Sequence, residues 1–222
     1  MEYQGMPFSW VDYYELGFRQ IAKDANVDIP DNKIMQSVEI MKSYNPRVNY
    51  RELEYSPQTI FRAALSKWNV TVKIENAICS FFQSIQLKPY VFEDTIPAIN
   101  ELHQNGYLVT ALTDLPTAMP DDIFKRDIKE ILNNIDLYVS SQSCGYRKPN
   151  KAGVSLIADA FNVNIKDLLL IGDEDKDSKT AQNAGCNFLL LNRKGPTLKT
   201  EIPNLCNLLR IINDDSLTDR TQ

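Results

Sequence analysis

Three short stretches of this sequence gather polar residues of types that can do chemistry. They are Thr113-Asp114, Gly145-Tyr146-Arg147-Lys148-Pro149, and Gly172-Asp173-Glu174-Asp175-Lys176-Asp177. The carboxylates of Asp173 and Asp177 are oxygen donors of the kind a hard cation takes, and Mg²⁺ commonly uses one or two carboxylates together with water and a phosphate. Like charges crowded in this way repel unless a cation or basic partner lies among them. An acidic turn ahead of a helix is also an ordinary helix start. The ammonium of Lys148 would act on a phosphoryl group as a point charge, although a lysine in isolation is usually a surface residue. The Thr113 hydroxyl and the Asp114 amide N–H could donate to the same phosphoryl oxygens; alone, the pair is simply the end of a strand. The sole histidine, His103, leaves almost no room for Ser-His-Asp, Cys-His or multi-His zinc chemistry, and its position predicts a surface residue. Any catalysis falls to carboxylates, Lys, Thr or an oxygen-held metal.

The elements that must position these groups come in two kinds. From Val11 to Leu87 the apolar spacing is helical. Phe18, Ile21, Ala22 and Ala25 form one stripe; Ile34, Val38 and Met41 a second; Ile60, Phe61, Ala64, Leu65 and Trp68 a third, opened by Ser56-Pro57; and Ile74, Ala77, Ile78, Phe81 and Ile85 a fourth. Four amphipathic helices in a row predict a small bundle. After Pro89 helices alternate with apolar runs. A helix capped by Asp94 or Thr95 runs to Gly106, Tyr107–Leu112 follows as a strand, and Asp121–Asn133 reads as helix. Leu137–Ser140 is a short strand, Val154–Phe161 a helix, Leu168–Ile171 a strand, Ser178–Ala184 a helix and Phe188–Leu191 a further strand. This pattern predicts βαβ units around a parallel sheet covered on both faces. In such sheets ligands bind beyond the carboxyl ends of the strands, which is where the three polar stretches fall. The last eight residues are polar and are expected to fray.

Composition narrows the function classes. The 222 residues carry 24 basic and 29 acidic side chains, a net charge of −5, with 43% hydrophobic residues, which suits a globular protein with a substantial core. No Lys/Arg block offers a nucleic-acid footprint, and no GxGxxG or P-loop follows any strand. No run of eighteen apolar residues is present, which argues against a membrane-spanning helix. The N-terminus does not read as a signal peptide. Cys79, Cys144, Cys186 and Cys206 are widely spaced, which predicts free thiols and a reducing, cytoplasmic setting.

The order and spacing of the three stretches resemble those of the haloacid dehalogenase-like (HAD) superfamily of phosphohydrolases with an α-helical cap of the C1 type. The second motif of that family, an apolar strand ending in Thr or Ser, matches Leu108–Asp114. Its third, centred on a lysine, matches Gly145–Pro149. Its fourth, Gly-Asp-x-x-x-Asp followed by a helix and Ala-Gly, matches Gly172–Asp177 with Ala184-Gly185. The resemblance covers residues 88–195, with the cap matched by helical content and position. It implies an α/β fold with a Rossmann-like parallel sheet and an inserted α-helical cap, the cap over residues 11–87 and the core over 1–10 and 88–222. It implies a Mg²⁺-dependent phosphatase acting on a small phosphorylated metabolite. Thr113, Asp114 and Lys148 would bind the phosphoryl group, Thr113 and Lys148 serving catalysis. Asp173 would ligate Mg²⁺, with Asp177 ligating it or orienting from behind. Dehalogenation, which uses no metal, is the rival within the family; a non-catalytic phosphate- and metal-binding protein is the rival outside catalysis.

The resemblance also implies a nucleophilic Asp in a first motif, Asp-x-Asp-x-Thr, at the end of a central strand. No such motif occurs in these 222 residues. Two placements remain open. Met1–Met6 is a degenerate version, with Glu2 and Gln4 at the two acidic positions, or Glu2–Trp10 already leads into the cap and the motif lies upstream. The second is favoured, because a strand needs about five residues and a single one precedes Glu2. On this reading the central strand between 107–112 and 168–171 is missing and the chain, as given, is inactive: Gln4 cannot serve as an acid or base, and a carboxylate misplaced by about 1 Å costs about 10²-fold.

Overall fold

A computed structural model of the chain describes residues 1–7, 9–195, 201–206 and 208–213. In chain order the elements are β1 (Glu2–Tyr3), α1 (Tyr14–Asp24), α2 (Asp31–Ser43), α3 (Pro57–Leu65), α4 (Ile74–Ile85), β2 (Pro89–Tyr90), α5 (Thr95–Gln104) and β3 (Thr110–Thr113). They continue as α6 (Asp121–Asp127), α7 (Lys129–Leu132), β4 (Leu137–Ser140), α8 (Ser141–Cys144), α9 (Ala152–Phe161) and β5 (Leu169–Gly172). The last are α10 (Asp175–Ala184), β6 (Asn187–Leu191), β7 (Glu201–Ile202) and α11 (Leu208–Asn213). The terminal residues 215–222 expected to fray lie outside the described residues. Among the described residues no helix is long and apolar enough to cross a membrane.

The chain divides into two compact units, Met1–Tyr90 with Leu115–Asp127, and Val91–Asp114 with Ile128–Gln222. In the first, the four predicted helices bury the expected stripes: Phe18, Ile21, Ile34, Val38, Met41, Ile60, Phe61, Ala64 and Phe81 are all inside. Phe81 is the hub, edge-on to Phe18 at 5.4 Å and to Phe61 at 5.3 Å between centroids, an arrangement the ring quadrupoles favour. Gly17 on α1 permits this, since a Cβ there would run into the Phe81 ring. Ser56 caps α3 by accepting the Thr59 N–H, with Pro57 in the first turn, as its sequence predicts. Residues 1–10, assigned above to the α/β part, group instead with the helices. β1 pairs antiparallel with β2, and the Tyr3 hydroxyl donates to Asp127 at 3.0 Å while its ring meets Trp10 edge-on. Residues 115–127 join this unit too, burying Leu115 and Met119.

The second unit is the α/β part. β3 pairs with β4 in parallel, Thr113 opposite Ser140, and β5–β6–β7 form a second parallel sheet, Gly172 opposite Leu190. Helix α9 packs on β3 and β4, α10 packs on β5 and β6, and the two helices touch. Leu102, Leu189, Ile202 and Leu208 form an apolar core against which Leu169, Ile171 and Leu191 rest. The single expected sheet is therefore two sheets among the described residues, and β3 and β5 each pair along one edge. Other boundaries shift for local reasons. Strand β3 begins at Thr110, because Tyr107 still bonds back to Leu102 at the helix end and Leu108 points to solvent. The predicted helix over 121–133 is two helices, broken at Ile128, whose backbone (φ −107°, ψ 18°) is not helical. His103 is at the surface as predicted, paired with Asp136 at 2.9 Å.

Asp94 occupies the helix-start position of α5 but does not cap it. Its carboxylate takes the Arg193 guanidinium at 2.9 Å and the Leu205 N–H instead, and Arg193 stacks over Phe92 at 4.1 Å. Burial works to raise the Asp94 carboxyl, but Arg193 and the Leu205 N–H outweigh it and hold it below its ordinary 3.8. A depressed acid contributes stability that is complete above its unfolded value and lost as pH falls through the folded one. Asp94→Asn is therefore expected to lower stability by about 2 kcal/mol at neutral pH, the scale of a charge-assisted hydrogen bond. In urea melts the gap between variant and native protein should close as pH drops below 4; an equal gap at all pH values would contradict the assignment.

Candidate active site

The site lies at the carboxyl ends of β3 and β5, in the second unit. Apolar β3 (Thr110–Thr113) ends in Thr113 and runs straight into Asp114; β5 ends in Gly172 and runs into Asp173. Lys148 comes from the loop after α8, next to a cis bond to Pro149. The expected helix start at Ser178 lies earlier, at Asp175, so Asp177 sits within the first turn of α10 rather than ahead of it.

Asp177 is the junction. Its Oδ2 accepts the N–H groups of Asp173 at 3.1 Å and Glu174 at 2.9 Å, which turns the chain from β5 into α10. Its Oδ1 meets the Lys148 ammonium at 2.6 Å. Both side chains are nearly buried, Asp177 4% and Lys148 13% exposed. Gly172 makes the approach possible, because a Cβ there would collide with the Asp177 side chain. Asp114 ties in the other strand: its Oδ1 accepts the backbone N–H of Lys148 at 3.0 Å, and its Oδ2 lies 3.2 Å from the Lys176 ammonium. Lys176 also reaches Glu174 Oε1 at 3.3 Å.

The charges decide the protonation states. Burial alone would raise the Asp114 carboxyl, but the positive charges of Lys148, Lys176 and Arg147 and the Lys148 N–H hold it below the usual carboxylate range. Burial alone would pull Lys148 down, yet Asp177, Asp114 and Glu174 outweigh it and push the ammonium above its ordinary value. Asp114 is thus an anion and Lys148 a cation at neutral pH.

Of the residues predicted from sequence, Asp114, Lys148 and Asp177 form one connected group, and Asp173 is linked to it through its backbone. The Asp173 side chain is exposed. Thr113 stands at the strand end, adjacent in sequence to Asp114, with its hydroxyl outside this hydrogen-bonded group. Lys176, Glu174 and buried Arg147 are the parts the sequence reading did not assign. Lys176 lay in plain view inside the acidic run, but a single lysine among carboxylates is also what a solvated helix start looks like.

Among the described residues no group of three metal-ligating side chains is formed. The donors nevertheless suit a hard cation that completes its shell with water and phosphate. Asp114, Glu174 and Asp177 are engaged by the cations around them, and Asp173, exposed at the strand end, adds a further carboxylate beside the group. Asp177, with Oδ2 on two backbone N–H groups and Oδ1 buried in ion contact with Lys148 but, among the described residues, without a hydrogen bond of its own, is better placed to orient than to ligate. Gly172→Ala is expected to destabilise the protein by about 2 kcal/mol, as overpacking at a tight contact does, and to release the Lys148–Asp177 pair. Chemical denaturation together with the NMR shift of the Lys148 ammonium would check both; an unchanged ammonium signal would show that the close approach is not what holds the pair.

A family model described as haloacid dehalogenase-like hydrolase matches residues 32–191. Among curated relatives, a phosphoglycolate phosphatase of Aliivibrio fischeri is 22% identical over 103 residues, 46% of this chain and 44% of the relative. The chain spans about half the length of the curated relatives it matches. Among solved structures, a 2-haloacid dehalogenase from Pseudomonas syringae superposes with a TM-score of 0.63 at 16% identity, covering 91% of this chain and 90% of that one. A HAD phosphatase from Thermococcus onnurineus gives 0.58 at 16% identity, covering 90% and 88%. The HAD-hydrolase YfnB from Bacillus subtilis, bound to magnesium, gives 0.51 at 17% identity, covering 91% and 92%. With the strand-end charges in the order read from the sequence and the family model matching well over half of the chain, the protein belongs to the haloacid dehalogenase-like hydrolases.

Proposed function

We propose that this protein carries the phosphate- and Mg²⁺-holding half of a phosphohydrolase site for a small phosphate ester. The observation that carries the reading is Lys148, whose nearly buried ammonium meets Asp177 after β5 while its backbone N–H is held by Asp114 after β3. A cation fixed there neutralises phosphoryl oxygens without moving, which is how preorganised electrostatics lowers a barrier. The Thr113 hydroxyl and the Asp114 N–H supply further donors. Asp173 would hold Mg²⁺, with Asp177 orienting Lys148 and the β5–α10 turn. The metal, when bound, would polarise a phosphoryl oxygen as a Lewis acid. The helices of the first unit, over residues 11–87, correspond to the cap of such enzymes, and the second unit to the core. Distant relatives named phosphoglycolate phosphatases favour a small anionic metabolite over a dehalogenase substrate.

The nucleophile belongs on a strand lying between β3 and β5. Two half-buried strands with one edge each unpaired among the described residues fit that arrangement, and Asp-x-Asp-x-Thr does not occur in the given sequence, which supports the reading that this polypeptide by itself binds without turnover. That is also the sole observation favouring a purely binding role.

The test separates binding from turnover. Calorimetry with inorganic phosphate and Mg²⁺ is expected to show binding that EDTA weakens and Lys148→Ala removes, while p-nitrophenyl phosphate is not hydrolysed. Phosphate binding indifferent to Lys148→Ala would overturn the site. Robust Mg²⁺-dependent hydrolysis abolished by Asp173→Asn would keep the site and overturn the inactivity; hydrolysis of a 2-haloacid that survives EDTA would favour the dehalogenase.

A further inference from the structure

Asp114 joins Lys148 and Lys176, accepting the backbone N–H of the first and the ammonium of the second, and the two ammonium groups are held differently. Lys148 is 13% exposed and locked on Asp177 at 2.6 Å. Lys176 is 28% exposed, and its two carboxylate contacts, 3.2 Å to Asp114 and 3.3 Å to Glu174, are longer than the about 2.7–2.9 Å of a well-formed charge-assisted bond. Lys176 stands on the first turn of α10, one residue before Asp177, and a four-carbon stem leaves its ammonium free to turn without disturbing the helix. The buried cation is suited to the phosphoryl centre. The rim cation is suited to whatever extends from it towards solvent.

We infer that Lys176 is a specificity-determining residue that selects phosphate esters bearing a second anionic group, such as a carboxylate, on the leaving group. The inference rests on the phosphate-site reading of Lys148. An incoming carboxylate replaces the loose Asp114 and Glu174 contacts of Lys176, while the Lys148–Asp177 pair stays in place. Esters with neutral leaving groups gain nothing from Lys176, so the discrimination is a difference between two affinities rather than an affinity for phosphate as such.

A matched pair of ligands tests this. 3-Phosphoglycerate and glycerol 3-phosphate share a three-carbon chain, and the first carries a carboxylate where the second has a hydroxymethyl group. Titration calorimetry of the full chain with Mg²⁺ is expected to show 3-phosphoglycerate bound roughly tenfold more tightly, the scale of one charge-assisted hydrogen bond. Lys176→Gln should erase that preference, costing 3-phosphoglycerate roughly tenfold more affinity than glycerol 3-phosphate, and Lys176→Arg should keep it. Lys179→Gln, which removes an exposed pair with Asp175 on the same helix, should change neither. Lys148→Gln should weaken both ligands. A preference that survives Lys176→Gln, or an equal loss for both ligands in that variant, overturns the inference while the Lys148 site stands. If the native chain binds neither ligand, the phosphate-site reading fails and the inference with it.

Discussion

The ion pair between Lys148 and Asp177 does two jobs that cannot be separated. On one side Asp177 closes the turn from β5 into α10 by accepting two backbone N–H groups; on the other it fixes the ammonium at 2.6 Å. A buried lysine without such a partner would shed its proton, because desolvation penalises the charged form. Here the carboxylates reverse that tendency. The cost of burying both charges is offset only while the geometry holds. That explains why a glycine precedes Asp173: the pair needs the space that a side chain at position 172 would fill.

Asp114 extends the same logic across the fold. It follows β3, whereas Asp177 follows β5, and Lys148 touches both, one through its backbone N–H and one through its ammonium. The lysine loop is thereby fixed at two points set by two different strands. A site assembled on strand ends inherits their rigidity, whereas one assembled from loops alone would not.

Much of this was legible in the sequence, and the reasons differ by residue. Helical periodicity identified α1–α4 because Phe18, Ile34, Phe61 and Phe81 all face one core. Two strand ends were legible because Thr113-Asp114 and Asp173 follow apolar runs at points where a parallel sheet binds its ligands, whereas Lys148 was legible through the Gly145–Pro149 stretch that resembles a family motif. Periodicity could not show that residues 1–10 and 115–127 pack with the helices, since that depends on tertiary contacts such as Tyr3 with Asp127. Nor could it show the break at Ile128, a residue apolar enough to continue the helix and buried for packing reasons. Asp94 illustrates the converse: it has the right chemistry for a cap but takes the distant Arg193 guanidinium and Leu205 N–H instead, the guanidinium being a stronger, charge-assisted partner than a local N–H.

The single-sided pairing of β3 and β5 also bears on how the protein behaves at high concentration. Among the described residues each strand has no strand partner along one edge, and apolar side chains such as Leu112 and Ile171 lie beside it. Edges of that kind act as templates for any extended segment that meets them.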